Sequence, residues 1–297
     1  MFLILLLLSA LPLSEARAQP RLSDLLARVA EEADGLQQNL PKALSRETLE
    51  QRALLPPSRF HPRAGSGASQ AIAPRALIRE VVSEYTVGTL KDSGSQNLVE
   101  YRQVIAVDGR PVQGEAKARH ALSLGIKSLD DRLRKRMLED FAKYGLVDIA
   151  TDYGLILLLF TRRGQPELEM STAGAAQLGP DTALVIHWRQ TSAAHGALEF
   201  IGRQALRHAL EGRLWVRASD GLPLRVESWI EHLQEEHKIR DEATVEYAIT
   251  SRGFLAPASV VHRHIVDARL LTENRYRYEP FQVFSSDVEI KFEQAPQ

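Results

Sequence analysis

The chain reads as an α+β fold in which a large antiparallel sheet carries helices collected on one side of it. Two observations predict this. From Gly212 to Phe292 the sequence is a run of consecutive alternating stretches joined by short turns, and connections that short allow only antiparallel neighbours. Ahead of that run the order of elements is helix, strands, helices, strands, with no repeat of fixed period, which segregates helices from sheet. A chain of 297 residues is long enough to bury a sizeable core around such a sheet.

In chain order, Leu3 to Leu8 is an apolar core and Ala16-Arg17-Ala18 fits a small-residue cleavage site, so residues 1–18 read as a signal peptide. Cleavage after Ala18 leaves residues 19–297 as a single domain beginning at Gln19. Met1 to Leu13 is too short for an uncleaved anchor, since a span needs about 20 apolar residues. Ala150 to Phe160, the closest later stretch, is interrupted by Asp152 and Gly154, so the mature chain is expected to hold no transmembrane helix. Ser23 to Gln38 carries Leu22, Leu25, Leu26, Val29, Ala33 and Leu36 at helical spacing, with Ser23-Asp24 as a start signal and Gly35 and Pro41 at its end. Ala43 to Leu54 is either a strand or a second helix, and strand is the choice made here. Pro56 to Pro74 turns to Pro, Ser, Gly, Ala and Arg, a composition unable to offset ordering entropy, and predicts a flexible loop at 56–74. Leu77 to Leu90 and Leu98 to Val107 form a hairpin about the turn Lys91 to Ser95, and Val107-Asp-Gly-Arg-Pro-Val112 supplies the next turn.

Glu115 to Leu124 and Leu129 to Tyr144 read as helices, the second with Leu129, Leu133, Met137, Leu138 and Phe141 on one side and Ser128 as its cap. The charge run Asp130, Asp131, Arg134, Lys135 and Arg136 reads as its solvated face. Leu155-Ile-Leu-Leu-Leu-Phe160 has no polar interruption and is expected to be buried on all sides. It is either core or a segment that closes an apolar cavity. Glu167 to Met170 and Leu184 to Gln190 are strands, and Leu198 to Leu210 reads as a strand leading into the final run. In that run Leu222, Leu224, Val226, Ser228, Ile230 and His232 share one face while Arg225, Glu227, Trp229 and Glu231 share the other. Glu279-Pro280 splits a last pair, Leu270 to Tyr278 and Gln282 to Phe292.

Several chemistries find no support. The absence of cysteine excludes disulfides, thiolate catalysis, zinc-thiolate sites and a lipidated amino-terminal cysteine. A net charge of -1 gives no electrostatic reason for nucleic acid to bind. There is no Gly-x-Ser-x-Gly elbow, Gly65-Ser-Gly67 falling in the predicted loop, and no phosphate-binding glycine loop. His262-x-His264 places two imidazoles on one strand face, a spacing that needs further ligands to hold a metal. We read the pair as strand histidines. No cofactor, metal or catalytic residue is expected, and the chain reads as non-catalytic.

Arg213-Leu-Trp-Val-Arg-Ala-Ser-Asp-Gly-Leu-Pro-Leu-Arg-Val-Glu227 resembles the strand-turn-strand signature of the outer-membrane lipoprotein carrier, or lipoprotein-sorting, superfamily. Gly253-Phe-Leu-Ala-Pro-Ala-Ser-Val-Val261 and Phe281-Gln-Val-Phe284 fit the same pattern. Val107 to Val112, the helical section and the final strands together are similar to exported proteins of soil bacteria with that architecture. The resemblance implies a large curved antiparallel sheet, a half-open barrel, with helices covering its concave face. It further implies a periplasmic binding protein for an apolar ligand, a lipid, an acyl chain or a lipidated peptide; membrane contact is compatible with that reading, while the net charge already speaks against nucleic acid as a partner. The ligand-lining candidates are Leu155, Leu157, Leu159, Phe160, Trp215 and Trp229, with Trp188 weighed beside them. The alternative is an envelope scaffold or protein-interaction module on the same fold, with a filled core and no ligand.

Overall fold

The structure, a computed structural model, describes residues 21–55, 75–90, 97–127, 132–149, 151–193, 197–201 and 204–283. The expected signal peptide, the 56–74 loop, the turn from Lys91 to Ser95, the Ser128 cap and most of the strand to Phe292 lie outside these residues. Three α-helices are described: α1 (Leu22–Asn39), α2 (Glu115–Lys127) and α3 (Arg132–Lys143). Twelve strands form one antiparallel sheet. The amino-terminal members are β1 (Ala43–Leu55), β2 (Arg75–Leu90), β3 (Asn97–Val107) and β4 (Arg110–Pro111), followed by β5 (Leu168–Leu178) and β6 (Asp181–Gln190). β7 (Ala197–Ile201) and β8 (Gln204–His208) pair separately. The carboxy-terminal run comprises β9 (Glu211–Arg217), β10 (Pro223–Gln234), β11 (His237–Ile249), β12 (Leu255–Val266), β13 (Arg269–Tyr278) and β14 (Gln282–Val283).

The sheet runs β4-β3-β2-β1-β13-β12-β11-β10-β9-β6-β5 and is an open half-barrel, with β14 also beside β1. β9 to β13 are consecutive neighbours, so the predicted meander forms. Its last predicted pair is corrected: β14 pairs Ala43 and Leu44 of β1 rather than β13. The physical reason is that β1 already occupies the free edge of β13 through Glu47 to Ala53, so after Pro280 the chain continues along β1. Register shifts at Val82/Ser83, Glu246/Tyr247 and His264/Ile265 are bulges, which bend strands and increase their twist. The β3–β4 hairpin turns on Asp108 and Gly109, both at positive φ, as a two-residue turn of matching twist requires.

One face of the sheet, here the inner face, carries the main core. Leu25, Val29, Ala33 and Leu36 of α1 pack there, as helical spacing predicted, together with Met137 and Phe141 of α3. The α1 start differs from expectation, because Arg21 occupies the cap position and Ser23 bonds only Asp24. Leu138 is 45% exposed, outside the predicted apolar side of α3. α2 lies on the outer face, where Leu122 packs with Leu44, Val99 and Tyr101, residues out of phase with the inner set. Within 198–210, β7 and β8 pair with each other in a separate two-stranded sheet rather than forming one strand that enters the meander. Gln204 to His208 already pairs Ala197 to Ile201, and β9 joins the main sheet between β6 and β10 instead.

Candidate functional site

The apolar run Tyr153–Phe160 is a 3-10 segment lying against the inner face, with contacts to α1, β3, β11 and β12. We call it the strap. Leu155, Ile156, Leu157 and Phe160 are buried, while Leu158 and Leu159 are half-buried against the core. Phe160 meets Trp188 of β6 edge-to-face at 5.5 Å. A short 3-10 element satisfies fewer of its own backbone groups than a long helix does. The sheet supplies the missing partners through side chains.

Beneath the strap and its approach lie three rows of inner-face residues. The first is apolar and follows from register: Leu49, Tyr276, Val260 and Val245 lie side by side across β1, β13, β12 and β11. The next is polar, with Gln51, Asn274, His262 and Ala243 in line, and the third places Thr272 and His264 beside Asp241. Gln51 donates to the Val147 carbonyl at 2.7 Å and accepts from the Val147 amide at 3.0 Å. Asn274 donates to the Asp148 carbonyl at 2.9 Å, and the Thr272 hydroxyl donates to the Asp148 carboxylate at 3.0 Å. These bonds fix the chain just before the strap. Tyr247 of β11 then enters the strap itself: its hydroxyl accepts from the Leu157 amide and donates to the Gly154 carbonyl, each at 3.1 Å.

At the strap's beginning sits a buried charge cluster. Arg102 of β3 donates from Nε to both carboxylate oxygens of Glu47 at 2.7 and 2.9 Å, and from a terminal nitrogen to Glu100 at 2.8 Å. All three side chains are at most 2% exposed. Its guanidinium lies 5.2 Å from the ring centres of Tyr85 and Tyr276. Burial opposes the charge on Arg102, but Glu47 and Glu100 outweigh it and hold its pKa well above the usual range. Burial pushes the Glu47 carboxyl up against the opposing pull of Arg102. Glu100 faces the strap: its carboxylate accepts the Asp152 amide at 2.8 Å, the Gly154 amide at 3.1 Å and the Tyr85 hydroxyl at 3.1 Å. In return the Glu100 amide donates to the Asp152 carboxylate at 2.8 Å, which also pairs with Arg134 of α3. Asp152 adopts the left-handed conformation that makes this exchange possible. Gly154 fits closely, since a Cβ there would lie 2.5 Å from a Glu100 carboxylate oxygen and displace that side chain from its bonds.

His262 and His264 both turn to Asp241, at 3.3 and 2.8 Å. Burial opposes ionisation of Asp241, yet its bonds to the two imidazoles hold its carboxyl well below the usual carboxylate range. The Tyr153 ring stacks on His262 at 5.1 Å. Among the described residues, no group of three His, Cys, Asp or Glu side chains is placed to hold a metal.

The residues singled out from sequence therefore divide. Leu155, Leu157, Leu159 and Phe160 come together on the strap, joined by Trp188. Trp215 and Trp229 do not join them. Alternation places Trp215 on the opposite face from Leu214 and Val216, where Arg213 and Arg225 lie over its ring, and Trp229 sits beside it between Arg213 and Arg240. The strands forecast an outer position for Trp229, since it shares the parity of Arg225 and Glu231. Glu47, Gln51, Glu100, Arg102, Tyr247 and Asn274 were missed. A signal existed in β1, where Glu47 and Gln51 alternate with Ser45, Leu49 and Ala53 on the face that packs inward. A separate cavity of about 320 Å³, lined by Asn39, Arg252, Gly253, Phe254 and Val283, shares no residue with the strap site.

No family model matches the chain, and no curated protein matches it. Solved structures do. A LolA superfamily protein from Nitrosomonas europaea is similar at 9% identity and a TM-score of 0.31, over 88% of this chain and 94% of that one. A domain assigned to outer membrane lipoprotein sorting, from Vibrio parahaemolyticus, is similar at 8% identity and a TM-score of 0.38, over 88% and 95%. A DUF1329 family protein from Desulfovibrio piger is similar at 10% identity and a TM-score of 0.36, over 90% and 94%. Structures from the superfamily that Arg213 to Glu227 resembles are among those similar to the chain. No residue role is transferred from them.

Proposed function

We propose that this chain is an exported, periplasmic, non-catalytic protein that binds an apolar ligand, a lipid, an acyl chain or a lipidated peptide, on the inner face of its half-open barrel. The observation that carries the reading is the strap. An eight-residue apolar segment occupies the inner face without joining the sheet's backbone ladder, held by side-chain bonds from β3 and β11, while β1 and β13 bond the chain just before it. Its departure would uncover apolar surface lined by Leu49, Val245, Val260 and Trp188. Each methylene that a ligand buries there is worth about 0.8 kcal/mol, so one acyl chain of a dozen carbons supplies a gross term of about 10 kcal/mol. Leu155, Leu157, Leu159 and Phe160 would be the mobile wall of that site. Among the described residues no helix is long and apolar enough to cross a membrane.

Full burial of Leu157 and Phe160 favours a second reading, a scaffold whose inner face is permanently filled. Native mass spectrometry of protein purified from the envelope of its own host separates the two. A co-purified lipid or lipopeptide supports ligand binding. Consistently empty protein that takes up neither a fluorescent fatty acid nor an apolar peptide overturns it in favour of the scaffold.

A further inference from the structure

Resting on the reading of the inner face as a ligand site, we infer that this site is built to grip a polypeptide backbone, and that its ligand class is an apolar peptide segment with glycine at one fixed position. The groups that hold the strap and its approach are aimed at amides. Gln51 satisfies both the N–H and the C=O of Val147, and Asn274 donates to the carbonyl of Asp148. Glu100 receives the N–H groups of Asp152 and Gly154, while Tyr247 takes the N–H of Leu157 and donates to the C=O of Gly154. Gln51, Asn274, Glu100 and Tyr247 are all buried. They come from β1, β13, β3 and β11, so the amide-directed pattern spans the middle of the sheet rather than one loop.

An acyl chain entering in place of the strap would match its apolar contacts and none of these bonds. Buried donors and acceptors left without partners carry their full desolvation penalty. A peptide of similar apolarity replaces them bond for bond, much as side-chain and main-chain contacts divide affinity and register in strand addition. The position facing Glu100 accepts only glycine without displacement, because a Cβ there meets the carboxylate at 2.5 Å and Pro257 at 3.4 Å. The strap is therefore a resident copy of the ligand, and the incoming segment competes with it.

The test uses the mature chain and a lysine-tagged, fluorescein-labelled peptide of the sequence of residues 147–161. Gly154→Ala in the protein weakens the strap through the Glu100 clash, and Tyr153→Ala, which removes the ring stacked on His262, serves if the first variant does not fold. Fluorescence anisotropy should show the weakened chain binding the peptide at least tenfold more tightly than the unmodified chain. The same peptide N-methylated at the residues matching Gly154 and Leu157 should bind at least tenfold more weakly, and dodecanoate should not displace the parent peptide. Equal binding of the N-methylated peptide, or uptake of dodecanoate with no peptide binding, overturns backbone recognition while leaving the apolar-ligand site intact. Binding of neither peptide nor dodecanoate by any variant overturns both.

Discussion

Replacing Tyr247 with Phe removes one oxygen atom and nothing else, yet that oxygen joins the strap to the sheet at two points. The hydroxyl accepts from Leu157 N–H and donates to Gly154 C=O at 3.1 Å each, in a site where the tyrosine is buried and its ionisation is strongly suppressed by that burial. A hydrogen bond contributes about 1 kcal/mol net, and a buried group left unpaired costs about 1–3 kcal/mol. A direct bond from Leu157 N–H to Gly154 C=O, three residues apart, is open to a 3-10 segment and limits the damage. We therefore expect Tyr247→Phe to lower the free energy of strap opening by about 1–3 kcal/mol. At tenfold per 1.4 kcal/mol, native-state hydrogen exchange at the Leu157 amide should accelerate by about 5- to 140-fold. Amides of β11 and β12 outside the strap contacts should keep their rates, because local opening leaves the sheet intact. Unchanged exchange at Leu157 would refute the bridging role. Uniform acceleration across strap and sheet would show that the two open only together, as a filled scaffold does.

Arg102→Met should destabilise the fold by about 3–5 kcal/mol in urea melts, since Glu47 and Glu100 would remain buried without their cation. Asp241→Asn should flatten the acid limb of stability: the native carboxyl titrates below its unfolded value near 3.8, so its contribution is present above that pH and is lost as pH falls below it. Thermal melts between pH 2 and 6 read the difference, and parallel curves for variant and unmodified chain would contradict it. Trp215→Ala and Trp229→Ala should leave apolar-ligand affinity within about twofold. Truncating Trp215, which is buried in the core, should cost about 3–5 kcal/mol of stability, and truncating the half-buried Trp229 about 1–2 kcal/mol through its lost cation–π contacts. A large loss of affinity in either would return these rings to the site. Amino-terminal sequencing of envelope protein should find Gln19 first, and recovery of Met1 would refute export with cleavage.

Strand identity and facing were legible in the sequence wherever alternation was regular. Leu224, Val226 and Ile230 face inward and Arg225, Trp229 and Glu231 outward, as a period of two dictates regardless of what the strand packs against. The same holds for α1, whose buried residues follow helical spacing, and for the burial of Leu155, Leu157 and Phe160, which an uninterrupted apolar run demands by itself. What such a run cannot specify is its partner. That β1 sits between β2 and β13, more than two hundred residues away, is set by long-range pairing, and only that pairing lines Gln51 up with Asn274 and His262. Arg102 looks in sequence like an ordinary surface charge, because desolvation and its compensation by Glu47 are properties of two groups brought together rather than of either one. The tertiary structure alone decided that these charges are buried together and that the amides of Gly154 and Leu157 meet side chains instead of a neighbouring strand.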